Sequence, residues 1–173
     1  FDLATHREDE YVDFFQEGLT IRMLSREGPC TATGDVNGDG AEDLFMGGAA
    51  GQAATLYVQQ DGQLVPQSDA GFTLYADFED TAAEFLDVDK DGDLDLFVGS
   101  VGNHRPLRDR LMQDRLYLND GSGKFTLSPR AIPVNGFNTG SVLPLDVNDD
   151  GYQDLVVASR SVPQQYGTAP ISY

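Results

Sequence analysis

The sequence predicts an all-β fold of repeated four-stranded antiparallel units. Three observations carry this. An acidic loop of fixed spacing occurs three times, beginning at Asp35, Asp87 and Asp146. Each copy is followed by a short apolar run rich in branched and aromatic residues, of strand length rather than helix length. The 19 glycines and the Asn-Asp-Gly-Ser-Gly stretch at 119–123 suit a chain full of tight turns.

The loops set the rest in order. The first reads Asp35, Asn37, Asp39, Gly40, Ala41 and Asp43 at positions 1, 3, 5, 6, 7 and 9. The second reads Asp87, Asp89, Asp91, Gly92, Asp93 and Asp95, and the third Asp146, Asn148, Asp150, Gly151, Tyr152 and Asp154. Alternate positions offer hard side-chain oxygens, and glycine at position 6 allows the sharp reversal around an ion. Position 7 is expected to give its backbone carbonyl, which leaves its side chain free to be Ala, Asp or Tyr. Position 9 closes the site. Calcium takes six to eight such oxygens in irregular geometry, so about three Ca2+ ions are expected, one per loop. Metal-free Asp/Gly turns are the plain alternative, but the threefold recurrence at one spacing speaks against it. So does the crowding of like charge at Asp87, Asp89, Asp91 and Asp95. The loops resemble half an EF-hand only. Position 12 is Met46, Val98 or Val157 instead of Glu, and the flanks are not helical in pattern.

The intervals between loops are 52 and 59 residues, near the size of a four-stranded propeller blade. Strands are expected at 31–34, 44–48, 54–59 and 63–65 in the first unit. In the second they are expected at 81–86, 94–100, 114–119 and 124–128, and in the third at 140–145 and 155–159. A further strand should begin at Ser172-Tyr173. The units divide as a connecting segment or preceding outer strand at 1–30, a first blade at 31–80, a second at 81–135 and a partial third at 136–173. Propellers close with about four to eight blades. The chain is therefore read as a fragment of a larger propeller, its open edges covered by missing blades or a neighbouring chain.

With these residues in view, the loops and the segments Asp-Leu-Phe-Met-Gly-Gly (43–48) and Asp-Leu-Phe-Val-Gly-Ser (95–100) resemble FG-GAP repeats, also called VCBS repeats, of the integrin-alpha type. Residues 115–125 fit the outer hairpin of such a blade. Residues 161–170 resemble a stretch of bacterial proteins related to the cartilage acidic protein family. The resemblance covers roughly residues 30–173. It implies a calcium-stabilised β-propeller of an exported protein: extracellular, cell-surface or periplasmic.

Composition narrows the function. A net charge of −18 argues against nucleic acid and anionic membrane as partners. No apolar run is long enough to insert into a membrane. Cys30 is the single cysteine, so no internal disulfide forms, and it reads as a half-buried strand residue. Residues 11–16 are aromatic and read as a short strand or helical turn. Phe14 and Phe15 are expected to cap the propeller or pack in its core, and Asp2-Leu3 to finish a preceding outer strand.

One further site is suggested. The connection at 101–112 carries His104, Arg105, Arg108 and Arg110, and Arg115 follows, a basic cluster on an acidic chain. Such a cluster suits a carboxylate or sulfated sugar. The alternative is that these arginines pair with Asp109 and Asp114. No catalytic motif is present: no G-x-S-x-G, no H-E-x-x-H and no C-x-x-C. The expected role is a non-enzymatic adhesion or interaction scaffold for a protein or glycan. The alternatives are an accessory or catalytic propeller of a polysaccharide-degrading enzyme, using calcium and the His104/Arg105 region, and a support for a catalytic domain elsewhere in the protein.

Overall fold

The computed structural model describes residues 3–68 and 70–173. It contains ten strands and, among the described residues, no α-helix. The first sheet is β1 (Thr31–Gly34), β2 (Asp43–Met46), β3 (Thr55–Gln60) and β4 (Gln63–Pro66), in that spatial order. The second is β5 (Glu79–Leu86), β6 (Asp95–Val101), β7 (Arg115–Asn119) and β8 (Phe125–Leu127), again in chain order. The third pairs β9 (Asn138–Leu145) with β10 (Asp154–Ser161). All pairings are antiparallel. β5 begins at Glu79, inside the stretch assigned by sequence to the first unit.

The three units share one register. Position 9 of each loop opens the second strand, opposite Gly34, Leu86 and Leu145 respectively. Met46 then pairs with Thr55, and Val98 with Arg115. The matching residue of the third unit, Val157, exchanges both backbone hydrogen bonds with Tyr173, at 2.6 and 3.1 Å. Tyr173 therefore occupies the opening position of a third strand, where the sequence places one.

The sheets stack face to face, and β6 is buried along its whole length. A strand covered on both faces has no polar side, which is why its residues read as a continuous apolar run. Period-two alternation then splits them. Leu96 and Val98 join the core shared with the first sheet, alongside Phe45, Leu56, Val58 and Phe85. Phe97 joins the second core, with Leu86, Leu116 and Val157. Phe72, from the connection between β4 and β5, locks the first core. Its ring lies 5.3 Å from Phe45, 5.2 Å from Tyr117 and 5.5 Å from Phe125, centroid to centroid.

The third unit repeats the pattern with its far side open. In register, Leu145, Val147 and Val156 correspond to Leu86, Val88 and Phe97 of the second unit. Phe97 is fully buried, whereas Val156 is 42% exposed and Val147 65%.

The amino-terminal segment differs from expectation. Residues 11–16 contain a 3-10 turn at Asp13–Phe15, but Phe15 is 88% exposed and Phe14 44%. The turn points Asp13 inward instead. Its carboxylate accepts from the Ser25 backbone N–H (3.1 Å), the Ser25 hydroxyl (2.6 Å) and Asn103 Nδ2 (2.5 Å). The segment is thus held by buried polar bonds and not by the aromatic pair. The expected strand end at Asp2-Leu3 falls partly on Asp2, outside the described residues, and Leu3 is in irregular chain.

Candidate metal centres

Each acidic loop spans the hairpin between the first and second strands of its unit, and the three loops share one hydrogen-bond ladder. The position-1 carboxylate accepts backbone N–H groups from across the loop. Asp35 takes Asp39 (3.1 Å) and Gly40 (2.8 Å), and Asp146 takes Asp150 (3.2 Å) and Gly151 (2.7 Å). Asp87 takes Lys90 (2.7 Å) and Gly92 (3.2 Å). Position 3 accepts from the N–H of position 5, through Asn37 (3.0 Å), Asp89 (3.3 Å) and Asn148 (3.0 Å). Position 5 accepts from position 7, where Asp39, Asp91 and Asp150 take the N–H groups of Ala41, Asp93 and Tyr152 at 2.8, 3.0 and 2.8 Å. Such bonds fold the loop and leave carboxylate lone pairs over for a cation.

The backbone makes two left-handed steps per loop. Position 6 is glycine, at φ 86°, 96° and 83° for Gly40, Gly92 and Gly151. Position 4 is also left-handed, at Gly38 (72°), Lys90 (63°) and Asp149 (58°). The second of these steps carries no glycine signal in two of the loops, so it could not be read from residue type.

Position 9 does more than close the loop. Asp43 and Asp95 are buried. Their Oδ2 atoms accept the N–H of position 2, Val36 and Val88, both at 3.1 Å. Their Oδ1 atoms accept from the third strand, Gln59 N–H at 2.8 Å and Asn119 N–H at 2.9 Å. One carboxylate therefore ties loop, second strand and third strand together. Burial pushes both carboxyls above the usual range, against the pull of those N–H bonds. By contrast, Asp35 is held low by the Gly40 N–H, and Asp150 by the Tyr152 N–H. Asp154 bonds the Val147 N–H (3.0 Å) but is exposed. Asn119, a turn residue by sequence, bridges two units: its Nδ2 donates to Val36 O (2.8 Å) and Leu94 O (3.1 Å).

In the second loop Asp87, Asp89 and Asp95 each offer an oxygen within 4.8 Å of the others. Oxygens on opposite sides of a calcium ion lie roughly 4.6–5.2 Å apart, so this set fits one ion, and its all-oxygen chemistry suits calcium rather than a softer metal. Asp91 and Asp93 lie outside that close set. The Asp93 side chain is turned toward the 119–123 turn, where a Cβ at Gly121 would meet its Oδ2 at 2.5 Å. That leaves position 7 its backbone carbonyl as donor. In the first and third loops position 3 is an amide, and no comparable three-carboxylate set forms there among the described residues.

The 101–112 connection is dispersed. Arg105 Nε donates to His104 Nε2 (2.8 Å), and the His104 ring lies 5.3 Å from Tyr11. Burial first, and Arg105 second, hold the imidazole below its ordinary pKa. Arg108 and Arg110 are exposed. Arg115 is not part of this surface: it is 4% exposed within β7 and ion-paired with Asp80. The expected pairing with Asp109 and Asp114 is not found among the described residues. Asp109 caps the 3-10 turn Arg110–Met112 through the Leu111 N–H (2.9 Å). Asp114 is buried and takes Ser100 N–H (2.7 Å), Thr139 Oγ1 (2.8 Å) and Tyr173 OH (2.7 Å).

A family model for the FG-GAP-like repeat matches residues 35–98 and 101–157, more than half the chain. The protein belongs to the FG-GAP-like repeat family. The first match begins on Asp35, position 1 of the first FG-GAP loop, and the two matches together take in all three loops. The four-stranded FG-GAP units fit propeller blades. No curated protein matches the chain.

Proposed function

We propose that the chain is a calcium-binding FG-GAP repeat module of an exported or cell-surface protein, acting as a non-enzymatic scaffold for a protein or glycan partner. The observation that carries this is the common donor ladder of the three loops, one of which already gathers Asp87, Asp89 and Asp95 within the span of a single ion. Asp35, Asn37, Asp39 and Asp43 would hold the ion in the first loop, with the Ala41 carbonyl. Asp87, Asp89, Asp91 and Asp95 would do so in the second, with the Asp93 carbonyl. Asp146, Asn148, Asp150 and Asp154 would do so in the third, with the Tyr152 carbonyl. Calcium when bound supplies charge neutralisation and stiffness. The chain's own carboxylates meanwhile fix the hairpin between first and second strands, a task otherwise left to a disulfide. Exposed millimolar calcium outside the cell would keep such sites filled, and among the described residues no helix is long and apolar enough to cross a membrane. The open Leu145/Val147/Val156 face supports seating of a further blade or a neighbouring chain, since its counterparts in the second unit are an inter-sheet core.

The test is thermal unfolding with calcium and with chelator. Calcium should raise the melting temperature in a concentration-dependent way, because an ion bound only by the folded state stabilises it by RT ln(1 + [L]/Kd). Asp91→Ala should weaken the effect more than Asn37→Ala. Superimposed melting curves with and without chelator would remove the proposal. A catalytic reading through His104 and Arg105, whose Nε donates to the imidazole Nε2 at 2.8 Å, is separated from this one by an assay for unsaturated uronate products.

A further inference from the structure

The arginines that the fold gathers are not those that the sequence clusters. Arg22, Arg26 and Arg160 line one cleft of about 590 Å³, together with Met23 and Glu27. Glu27 is ion-paired through one oxygen to Arg22 Nε at 3.1 Å and through the other to Arg160. Arg26 is exposed and makes no ion pair or hydrogen bond among the described residues. Three guanidinium groups thus face one carboxylate, on a chain whose net charge is −18. Anions are repelled by most of this surface and find a local reversal of sign here.

A second opening, of about 440 Å³, shares Arg22 and Arg160 with the cleft. It runs between the segment at 17–24 and the segment after β10. Tyr166, 61% exposed, and Ile21, 97% exposed, give it apolar surface, and Thr20, Ser161 and Thr168 give it hydroxyls. Its one carboxylate, Glu17, is turned away into the interior, where its Oε2 accepts Asn103 Nδ2 at 2.7 Å. An aromatic face flanked by short hydroxyl side chains suits the C–H face and hydroxyl groups of a sugar. The guanidinium fork suits a carboxylate or sulfate in two-point contact.

We propose that this cleft and groove form a binding site for an acidic glycan. A uronate carboxylate or a sulfate would pair with Arg22 and Arg26, and the adjoining sugar ring would lie on Tyr166. Arg160 stays paired with Glu27 and holds the wall. The proposal names a ligand class for the scaffold reading and rests on it only in that respect.

The test is titration calorimetry of the whole chain at saturating calcium. The probes are a galacturonic acid pentamer, a heparin-derived hexasaccharide, a neutral glucose pentamer and a poly-glutamate peptide. At least one of the two acidic sugars should bind, and binding of the galacturonic acid pentamer shows that a carboxylate alone suffices; the neutral sugar should not bind. Arg22→Ala with Arg26→Ala should weaken binding at least tenfold, and Tyr166→Ala several-fold. Arg105→Ala with Arg108→Ala should bind as the parent does. Far-UV circular dichroism and the calcium-dependent melt confirm that each variant is folded. The proposal is overturned by neither acidic sugar binding, by unchanged binding in the Arg22/Arg26 variant, by equal binding of the neutral sugar, or by poly-glutamate binding as tightly as the sugars. Calcium stabilisation without sugar binding sinks this inference alone. Sugar binding lost with the arginines, but no calcium effect on melting, sinks the calcium reading alone.

Discussion

The Lys90 ammonium of the second loop sits 3.6 Å from the centroid of the Tyr152 ring of the third, so neighbouring loops of successive units touch through a cation–π contact. Lys90 reaches there from a left-handed backbone, φ 63°. A side chain in that region costs roughly 1–2 kcal/mol, while an exposed cation–π contact contributes about 0.5–1 kcal/mol. Lys90→Gly removes both and should leave the protein as stable as the parent or more stable by up to about 1.5 kcal/mol. Lys90→Ala keeps the strain, loses the contact and should cost about 0.5–1 kcal/mol. Adding Tyr152→Ala to Lys90→Ala should cost less than Tyr152→Ala does alone. Urea unfolding of the four variants gives the coupling directly.

Glu79 supplies the pH dependence. It is 2% exposed; its Oε2 accepts the Ala50 N–H at 3.2 Å, and its Oε1 has no partner among the described residues. Burial pushes its carboxyl up to about 8, with Glu8, Asp9 and Asp80 adding to the shift and the Ala50 N–H opposing it. A folded value above the unfolded value of roughly 4.3 means the folded state holds this proton more tightly. The resulting stability is fully present below the unfolded value and is lost as pH rises through about 8. Glu79→Gln keeps an acceptor for Ala50 and never ionises. Its melting temperature should match the parent near pH 4 and exceed it by several degrees at pH 9. Parallel pH profiles for the two proteins would refute this.

Phe97 and Val156 hold one register position in successive units, with opposite surroundings. Phe97 is buried between the second and third sheets, and Phe97→Ala should cost about 3–5 kcal/mol. Val156 is 42% exposed, and Val156→Ala should cost less than about 1 kcal/mol. Denaturant midpoints read both. A large Val156 effect would mean that its face is already covered in solution.

Much of this was legible in the residues. Strand positions follow from apolar runs placed directly after each loop, and the loops announce themselves because Asp and Gly recur at fixed offsets. Even Tyr173 as a third-strand residue follows from counting. What stayed hidden is the buried polar framework. Asp80 and Arg115 lie within β5 and β7, and Asp114 directly before β7, and charge alone suggests exposure; Asp80 and Arg115 are 35 residues apart, and Asp114 meets Thr139 and Tyr173 across 25 and 59 residues. No local pattern encodes a bond of that range. The arginine cleft is hidden for the same reason, since Arg160 lies far along the chain from Arg22. Phe14 and Phe15 misled because aromatic content signals burial only when the backbone turns it inward, and here the turn presents Asp13.

Two carboxylates of the second loop separate metal binding from fold support. Asp91 is exposed and, among the described residues, bonds only within its loop, at Asp93 N–H (3.0 Å). Asp91→Ala should lower calcium affinity while leaving the chelated protein within about 0.5 kcal/mol of the parent. Asp95 holds Val88 and Asn119 at 3.1 and 2.9 Å in a buried setting. Asp95→Ala should cost about 2–4 kcal/mol even under chelator, because the buried Asn119 N–H and the partly buried Val88 N–H lose their acceptor. Calorimetry with calcium and unfolding without it distinguish the two. Equal losses in both measurements for both variants would contradict the division of labour.

The Asp80–Arg115 pair bears on how the first two sheets stay together. Both are nearly dry, at 3% and 4% exposure. Arg115 also donates to Tyr117 OH and Ser100 Oγ, both at 3.1 Å, and lies 4.1 Å from the Phe78 ring centroid. Asp80 Oδ2 reaches across to the Gly48 N–H of the first unit at 2.9 Å. Removing one partner of a buried pair strands the other, so Arg115→Ala should cost about 3–5 kcal/mol. Asp80→Asn with Arg115→Met keeps an acceptor for Gly48 and leaves no unpaired charge. It should therefore cost less than Arg115→Ala alone, although it carries two changes. Denaturant unfolding at saturating calcium measures this. A double variant less stable than Arg115→Ala would show that the pair contributes through its specific bonds to Ser100, Tyr117 and Phe78, and not through mutual neutralisation.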